Sequence, residues 1–236
     1  MLYLFPNVLS EEQSHELFFP KSVDAHVTEI EGLIAESEKS ARSFLKRFSF
    51  TRDRTFRDIP IKLLNEHTTE QELKELIALL MQKGPWGLIS DCGLPCLADP
   101  GARLVALAHK RKISVKTFPG PSSIVMALML SGLVVQSFTF HGYLPRELPQ
   151  LQEALASIEK EVIQKKRVQV FIEAPYRSEK LLHTLRETLA PDLLLSLACD
   201  LTLPTEEVLL LSIAEWRKKD LSSLNKRPSV FLVGPK

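Results

Sequence analysis

The sequence contains too few cysteines to be held together by disulfide bonds. Three occur among 236 residues, at Cys92, Cys96 and Cys199. Disulfide-stabilised domains need several cysteine pairs, whereas unpaired thiols are typical of a reducing compartment. The sequence therefore predicts a cytoplasmic protein. We also expect no metal, because a Cys-x3-Cys pair without a second pair of ligands is a weak zinc pattern.

Long hydrophobic runs are also absent. The longest apolar stretch, near residues 124–135, is about half as long as a transmembrane helix has to be. The first residues carry no basic segment, and Pro6 interrupts them early. We therefore expect neither a signal peptide nor a membrane span.

An excess of charge of either sign is missing as well. Lys and Arg number 30, Asp and Glu number 29, and the formal net charge is +1. Bulk charge therefore does not favour nucleic acid as a partner, although a local basic face is compatible with it. Arg42, Lys46 and Arg47, with the segment 160–167, are candidates for such a face. Two solvated helix surfaces are the alternative.

What the sequence does contain is a regular alternation of short apolar runs with amphipathic stretches of roughly 10–15 residues. The strand-like runs are residues 2–5, 59–64, 86–89, 113–118, 137–144, 168–175, 193–201 and 228–235. Residues 28–48 are ambiguous, because "GLIAES" suits a strand and "SEKSARSFLKRF" has helical spacing. The alternation predicts an α/β protein with mostly parallel sheets.

One strand-like run ends abruptly in polar and backbone-shaping residues, within "WGLISDCGLPCLADPG" (Trp86–Gly101). Ligands of open α/β sheets bind beyond the carboxyl ends of the strands. Asp91 stands at such an end, where its carboxylate can accept hydrogen bonds from hydroxyl or ammonium groups. The alternative is that Asp91 or Asp99 merely caps the following helix.

Two further loops share this arrangement. In "KTFPGPSSI", Ser122 and Ser123 follow a Pro-Gly-Pro break and open a helix, so they are either ligand contacts or plain helix caps. In "FIEAPYRSEK", Glu173 and Arg177 follow another strand, and a surface ion pair is the alternative to a binding role. Three such loops favour a shared binding cleft.

These segments together resemble the tetrapyrrole-methylase superfamily, and within it the small-subunit ribosomal RNA cytidine-2′-O-methyltransferases. The matching motifs are Asn65–His67, Ser90–Pro95 and Ala98–Gly101. "FPGPSSIVMAL", "FHGYLPRE" and "FIEAPYRSEKLL" continue the pattern in the family's order, and "PSVFLVG" resembles its last strand. The resemblance covers nearly the whole chain and is clearest from Asn65 to Leu182.

The resemblance implies two α/β domains, with S-adenosylmethionine (AdoMet) bound in a cleft between them and released as S-adenosylhomocysteine. We expect an N-terminal domain over residues 1–117, which carries the acceptor side and the Ser90–Asp91 loop. A C-terminal domain over residues 118–236 is expected to complete the cleft. A homodimer is also implied. The residues that match cofactor contacts of the family are Pro6, Asp91, Leu94, Ser122, Ser123, Glu173, Pro228 and Ser229.

Two segments depart from the family pattern. The first loop has the sequence "FPNVLSEEQ" and lacks the family's glycine. Ala35–Lys39 replaces an alanine-glutamate-aspartate-threonine-arginine signature. Both segments are expected to flank the acceptor. In addition, Leu94 replaces a threonine of the family pattern. These departures indicate a divergent paralogue of the family.

The resemblance implies transfer of a methyl group to RNA, with the ribose 2′-hydroxyl of ribosomal RNA as the expected acceptor. Candidates for proton transfer or charge stabilisation are Glu36, His67, His141 and Arg177, and no one of them is singled out. For both histidines a structural role is the alternative. Two other functions stay open: methylation of a small molecule such as a tetrapyrrole, and a non-catalytic AdoMet-binding paralogue.

Overall fold

A computed structural model describes residues 1–50, 53–82, 84–224 and 226–236. The chain divides into two compact units, Met1–Ser122 and Ser123–Lys236. Within the described residues, no helix has the length and apolar character needed to cross a membrane.

The first unit contains a five-stranded sheet and four α-helices. Its strands are β1 (Leu2–Leu4), β2 (Gly32–Ala35), β3 (Ile61–Leu63), β4 (Trp86–Leu88) and β5 (Val115–Thr117), and its helices are α1 (Lys21–Glu29), α2 (Glu38–Leu45), α3 (Glu70–Leu80) and α4 (Gly101–Lys110). The strand order is β3-β2-β4-β1-β5, and every pairing is parallel. The ambiguous segment 28–48 therefore contains both predicted elements, a strand followed by a helix.

Helices cross over between the parallel strands and cover both faces of this sheet. One apolar cluster includes Phe5, Phe44 and Phe118, and another includes Leu73 and Leu104. Parallel neighbours require such long crossover connections, and burial on both faces explains why the central strands β1, β2 and β4 are continuous apolar runs. The carboxyl ends of the five strands consequently lie along one edge.

The second unit contains a second five-stranded sheet and four more α-helices. Its strands are β6 (Phe138–Tyr143), β7 (Val168–Glu173), β8 (Leu194–Cys199), β9 (Glu207–Ser212) and β10 (Ser229–Gly234), and its helices are α5 (Ser123–Leu130), α6 (Leu148–Lys165), α7 (Ser178–Thr188) and α8 (Ile213–Trp216). The strand order is β6-β7-β10-β8-β9.

The expectation of mostly parallel sheets is confirmed for the first sheet and wrong for the second. Only the pairing of β6 with β7 is parallel, and α6 supplies its crossover. β10 runs antiparallel to β7 and β8, and β8 runs antiparallel to β9. The connection from Asp200 to Glu206 contains no helix, and so short a link can join only antiparallel neighbours.

Sequence patterning missed β9 altogether. Its residues are half-buried or exposed and show no alternation between a buried and an open face. Strand β9 lies at the end of the sheet order, where only one neighbour pairs with it. The apolar run Val208–Leu211 was its only signal.

Candidate functional site

Asn7 fixes the turn at the end of β4. Its side-chain amide donates to the carbonyl oxygens of Ser90 (3.1 Å) and Asp91 (3.0 Å). Its own backbone N–H donates to the Gly93 carbonyl over 2.7 Å, and its side-chain oxygen accepts from the N–H of Val8. Asn7 is 5% exposed. The loop after β1 therefore stabilises the turn at Asp91 through these hydrogen bonds, although this loop lacks the family's glycine.

The loop after β2 reaches the same aspartate. Oε1 of Glu36 accepts from the backbone N–H of Asp91 over 2.9 Å, and the Ser37 hydroxyl donates to Oδ1 of Asp91 over 3.2 Å. Ser37 also caps α2 by accepting from the Ser40 N–H. The Asp91 side chain itself stays exposed. Its carboxylate is thus oriented by a neighbour and remains accessible to a ligand.

Asn65 connects the end of β3 to this group. Its side-chain amide donates to the Glu36 carbonyl over 3.4 Å, and its side-chain oxygen accepts from the His67 N–H over 3.0 Å. The His67 side chain is exposed and lies 3.5 Å from Glu66. The Asn65–His67 motif therefore shapes the loop through Asn65, while His67 points into solvent.

Asp99, and not Asp91, plays the capping role that the sequence left open. Its carboxylate accepts from the N–H of Cys96 (2.6 Å) and of Gly101 (2.7 Å), where α4 begins. Cys96 and Ala98 both have positive φ, which costs free energy in residues with a Cβ. The two hydrogen bonds to Asp99 stabilise this loop and leave Asp91 free of a capping role.

The loops after β1 and β5 touch closely. A Cβ added to Gly120 would lie 2.1 Å from the Cβ of Pro6, so a glycine is required there. Ser122 follows and is buried, and Ser123 is the first residue of α5. Loops from all five strands therefore meet along the carboxyl edge of the first sheet. Leu94, in the loop after β4, is half-buried.

This edge carries a concentration of carboxylates. An open depression of about 690 Å³ is lined by Glu36, Asn65, Glu66, His67, Asp91, Ala98, Asp99 and Pro100. Burial raises the pKa of Glu36, and the neighbouring charges of Asp91 and Asp99 raise it further. Burial also raises the pKa of Asp99. The negative potential suits a ligand that offers positive charge and hydroxyl donors.

The two cysteines beside this depression have raised pKa values. Burial, with the nearby charge of Asp99, raises the pKa of Cys96 to about 12. Burial likewise raises the pKa of Cys92. Such thiols stay protonated at neutral pH and are poor nucleophiles. Among the described residues, no group of three or more His, Cys, Asp or Glu side chains is placed to hold a metal ion.

In the second unit, Glu173 and Arg177 form an ion pair at the end of β7. Nη2 of Arg177 lies 2.9 Å from Oε2 of Glu173, whose side chain is 1% exposed. Oε1 of Glu173 accepts from the Ala174 N–H over 2.8 Å. The pair is therefore anchored in the interior, and the surface ion pair considered from the sequence is not what the structure contains.

The entrance to β10 is fixed by Arg227. Its guanidinium contacts Asp200 and Glu207, so it bridges the ends of three strands. The Ser229 hydroxyl donates to the Arg227 carbonyl over 2.9 Å and lies 3.3 Å from the Cys199 sulfur. Pro228, between them, is exposed. The hydroxyl of Ser229 is thus used within the protein, while Pro228 is accessible.

Several other candidate side chains have structural partners. The His141 ring lies 2.7 Å from the side-chain oxygen of Gln169, which is fully buried. Arg42 donates to the carbonyls of Phe56, Arg57 and Ile59, and Arg47 donates to those of Glu11 and Gln13. These two arginines clamp loops of the first unit. They do not support the basic face considered from the sequence.

Sequence reasoning missed Asn7, Ser37 and Asn65 as parts of the site. Asn7 and Ser37 stood in segments that count as departures from the family pattern, and each turns out to contact Asp91. The available signal was position: a small polar residue directly after a strand that ends at the same edge as Asp91.

Residues 23–216 match the family of tetrapyrrole (corrin/porphyrin) methylases. The chain belongs to this family. The match includes the ends of β2, β3 and β4, which carry the depression around Asp91, and it continues into the second unit.

Relatives in this methylase family carry a more specific name. The ribosomal RNA small subunit methyltransferase I of Thermotoga maritima is 32% identical over 161 residues, which are 68% of this chain and 66% of that protein. A protein of the same name from Halalkalibacterium halodurans is 36% identical over 151 residues, 63% of this chain and 48% of that protein. The chain thus matches between about half and two thirds of the length of these relatives.

Solved structures of low identity share the fold. The methyltransferase CobJ aligns over 99% of this chain and 93% of its own, with a TM-score of 0.64 and 14% identity. A uroporphyrin-III C-methyltransferase from Thermus thermophilus aligns over 99% of this chain and 91% of its own, with a TM-score of 0.54 and 17% identity. The tetrapyrrole-methylase fold extends over the whole chain.

Proposed function

We propose that this methylase-family chain transfers a methyl group from AdoMet to RNA, with a ribose 2′-hydroxyl of small-subunit ribosomal RNA as the acceptor. The observation that carries the proposal is the accessible Asp91 carboxylate, which loops from neighbouring parallel strands hold in place. The names of the two relatives support RNA as the acceptor class. The Asn65–His67 motif, typical of the ribosomal RNA branch, supports it too.

The residues at the strand ends fit AdoMet. A carboxylate such as that of Asp91 accepts hydrogen bonds from ribose hydroxyls or an ammonium group. Pro6, Leu94 and Ser122 would complete the contacts from the first unit. Ser123, Glu173, Pro228 and Ser229 would supply those from the second. Because Ser229 uses its hydroxyl internally and Glu173 is buried in an ion pair, backbone groups are the contacts we propose there.

AdoMet supplies a methyl group already activated by the positive charge of its sulfonium. The protein then has to align the acceptor, exclude water and take up a proton. We propose Glu36 for the proton. Of the four candidates, it alone is hydrogen-bonded to Asp91, and burial raises its pKa toward the range useful for a base. The His67 side chain is exposed and lies beside Glu66, and His141 bonds to Gln169.

A non-catalytic paralogue was favoured by the altered first loop. Asn7 weakens that alternative, because it holds the Asp91 turn through three hydrogen bonds in place of the missing glycine. The loop has changed its sequence and kept a defined structure. We therefore propose an active enzyme.

Calorimetric titration with AdoMet and with S-adenosylhomocysteine is the first test. We expect micromolar binding at one site per chain. Absence of binding to both compounds at millimolar concentration would contradict the proposed cofactor site. Denatured protein is the control for non-specific heat.

Transfer of a radiolabelled methyl group then identifies the acceptor. Small ribosomal subunits that lack their 2′-O-methyl groups should become labelled in the RNA, with the label on ribose after nuclease digestion. Labelling of uroporphyrinogen instead of the subunits would replace the RNA proposal by the small-molecule one. Binding of AdoMet without labelling of RNA, protein or tetrapyrrole would favour the non-catalytic alternative.

A further inference from the structure

Two neighbouring strands of the second sheet end at the same edge. β6 and β7 run parallel, with Tyr143 opposite Ile172, so the loops that follow them leave the sheet side by side. The pairing is irregular between Phe140 and Tyr143, where Gly142 adopts a positive φ. This irregularity sets the direction in which the chain leaves β6. Strand β7 ends at Glu173, which the proposed function assigns to AdoMet through its backbone, so the side chains considered below are others at this edge.

Cations predominate in a small cavity bordered by the loop after β6, the end of β7 and the helices α6 and α7. It is lined by Arg146, Leu151, Glu173, Arg177, Lys180, Leu181 and Thr184. The single carboxylate, Glu173, is buried and already contacts Arg177. Within the part of the chain that the structure describes, neither Arg146 nor Lys180 forms an ion pair. Two uncompensated cations at one cavity attract an anion of phosphate type.

The start of α7 strengthens this attraction. Arg177 directly precedes the 11-residue helix, and no side chain caps its first N–H groups. Free N–H groups and the helix dipole favour negative charge at a helix N-terminus. Lys180 lies in the first turn of the same helix, which also carries Glu179. The cationic side chains and the helix end therefore act on the same small region.

Two exposed tyrosines stand close to these cations in the sequence. Tyr143 is 61% exposed at the end of β6, and Tyr176 is 70% exposed in the loop after β7. They are two of the three tyrosines in the sequence. Exposed aromatic rings beside arginine and lysine are the combination on which single-stranded nucleic acids bind, with bases stacked on rings and phosphates on cations.

We infer that this tyrosine–arginine edge, formed by Tyr143, Arg146, Tyr176, Arg177 and Lys180, binds a single-stranded segment of RNA. A backbone phosphate lies at Arg146 and Lys180, and unpaired bases stack on the two tyrosine rings. The inference rests on the proposed function for the class of partner, and its contacts are independent of methyl transfer. It assigns RNA binding to residues outside the Asp91 site.

Fluorescence anisotropy of a labelled 12-nucleotide oligouridylate tests the cation contacts. Arg146→Gln and Lys180→Gln should each weaken binding and reduce the slope of log affinity against log salt by about 0.7 per lost phosphate contact. Lys218→Gln is the matched control. Lys218 is exposed and follows α8, which comes directly after β9. β9 ends beside the start of β8, whereas the end of β7 and the end of β8 both lie beside the start of β10. Lys218 therefore lies at the opposite end of the strands from the tyrosine–arginine edge. Its slope should equal that of the unaltered protein.

The same assay separates stacking from folding. Tyr176→Ala should weaken binding by roughly 5- to 100-fold, the usual effect of removing one stacked ring, whereas Tyr176→Phe should bind as the unaltered protein does. A duplex of the same length should bind more weakly and should not respond to Tyr176→Ala. Near-ultraviolet circular dichroism of each variant shows that the unit is folded.

Three results would overturn the inference. One is an unchanged salt slope in both cation variants, and another is a loss in Lys218→Gln as large as theirs. The third is full competition by inorganic phosphate with no effect of Tyr176→Ala, which would make the edge a small-anion site.

Calorimetry with AdoMet on the same variants keeps the two proposals distinct. Normal AdoMet binding with unaltered RNA binding in all variants would refute the inference alone, whereas absent AdoMet binding with the expected RNA effects would refute the proposed cofactor site alone.

Discussion

Single polar residues, contributed by different strand ends, build the site around Asp91. Asn7 approaches it from 84 positions away in the sequence, and the Glu36 side chain approaches from 55 positions away. Neither contact is local, so neither follows from helix or strand propensity. Buried amides and carboxylates that reach backbone groups in this way fix a turn more firmly than the turn sequence does alone.

Asn7→Ala should disturb both stability and cofactor binding. The substitution leaves the carbonyls of Ser90 and Asp91 without their side-chain donor in a buried region. We expect a loss of about 1–3 kcal/mol in the free energy of unfolding, measured by urea titration. Calorimetry should show weaker AdoMet binding. Unchanged affinity in a destabilised variant would show that the Asn7 contacts are structural only.

Glu36→Gln should separate proton uptake from cofactor binding. The glutamine oxygen can still accept the Asp91 N–H, so we expect unchanged AdoMet affinity. Methyl transfer should fall by roughly 10²- to 10⁴-fold, the usual contribution of a general base. In the unaltered enzyme, the rate should decline as pH falls through the raised pKa of Glu36. A variant that retains full activity would exclude Glu36 as the proton acceptor.

The raised pKa of Glu36 also determines whether its ionisation raises or lowers the free energy of unfolding. Burial makes the folded protein hold the Glu36 proton more tightly than the unfolded chain, so ionised Glu36 lowers stability. This loss sets in as pH rises above the ordinary value of 4.5 and is complete above the raised pKa. Glu36→Gln should therefore be more stable than the unaltered protein at pH 7.5, with a smaller difference at pH 4. Urea titrations at the two pH values measure it.

Individual elements of this fold begin and end where local chemistry places them. α3 starts at a capping box, in which the Thr69 hydroxyl accepts from the Glu72 N–H and the Glu72 carboxylate accepts from the Thr69 N–H. Its buried residues recur at helical spacing, at Leu73, Leu76, Ile77 and Leu80. A helix of this kind is determined by its own sequence, because the cap and the apolar spacing both lie within it.

Thr69→Ala should remove about 1 kcal/mol of stability by breaking this cap. Thr69→Ser keeps the hydroxyl and is the matched control, with little expected change.

The backbone and hydroxyl hydrogen bonds of Thr69 lower the pKa of Glu72. Their stabilisation is therefore present above pH 4.5 and lost as pH falls through the lowered pKa. Thermal unfolding at pH 7 and pH 3 should show a smaller difference between Thr69→Ala and the unaltered protein at pH 3.

At the scale of the whole molecule, the residues that we propose as AdoMet contacts are distributed over the two compact units. Asp91 and Pro6 belong to the first unit, whereas Ser123, Glu173 and Pro228 belong to the second. Each unit has its own apolar core, so each can hold its contact residues in place. One substitution in each unit therefore tests the proposed contacts of that unit.

Asp91→Asn and Ser123→Ala should both weaken AdoMet binding in the full chain. Loss of the carboxylate should cost about 1–3 kcal/mol and loss of the hydroxyl about 1 kcal/mol, as measured by calorimetry. Lys218→Gln, outside the proposed site, is the control. Normal binding in Ser123→Ala would remove that contact from the proposal. Normal binding in Asp91→Asn would leave Asp91 with no role in the cofactor site.

The sequence by itself determined the features that depend on neighbours along the chain. Strand and helix alternation, the cap at Thr69 and the apolar stripes come from local spacing, and the order of motifs was enough to indicate the family. The sequence also predicted that Asp91 follows a buried strand, at the edge where ligands of parallel sheets bind, and the structure confirms that position.

Only the tertiary structure decided which distant residues meet. It placed Asn7, Glu36 and Ser37 on Asp91 and gave the capping role to Asp99. It also showed that most pairings of the second sheet are antiparallel, and it added β9. Strand order, strand direction and long-range hydrogen bonds depend on how separate elements pack. A local sequence pattern does not specify the distant segment against which an element packs. Strand order, strand direction and long-range hydrogen bonds are therefore known only from the folded chain.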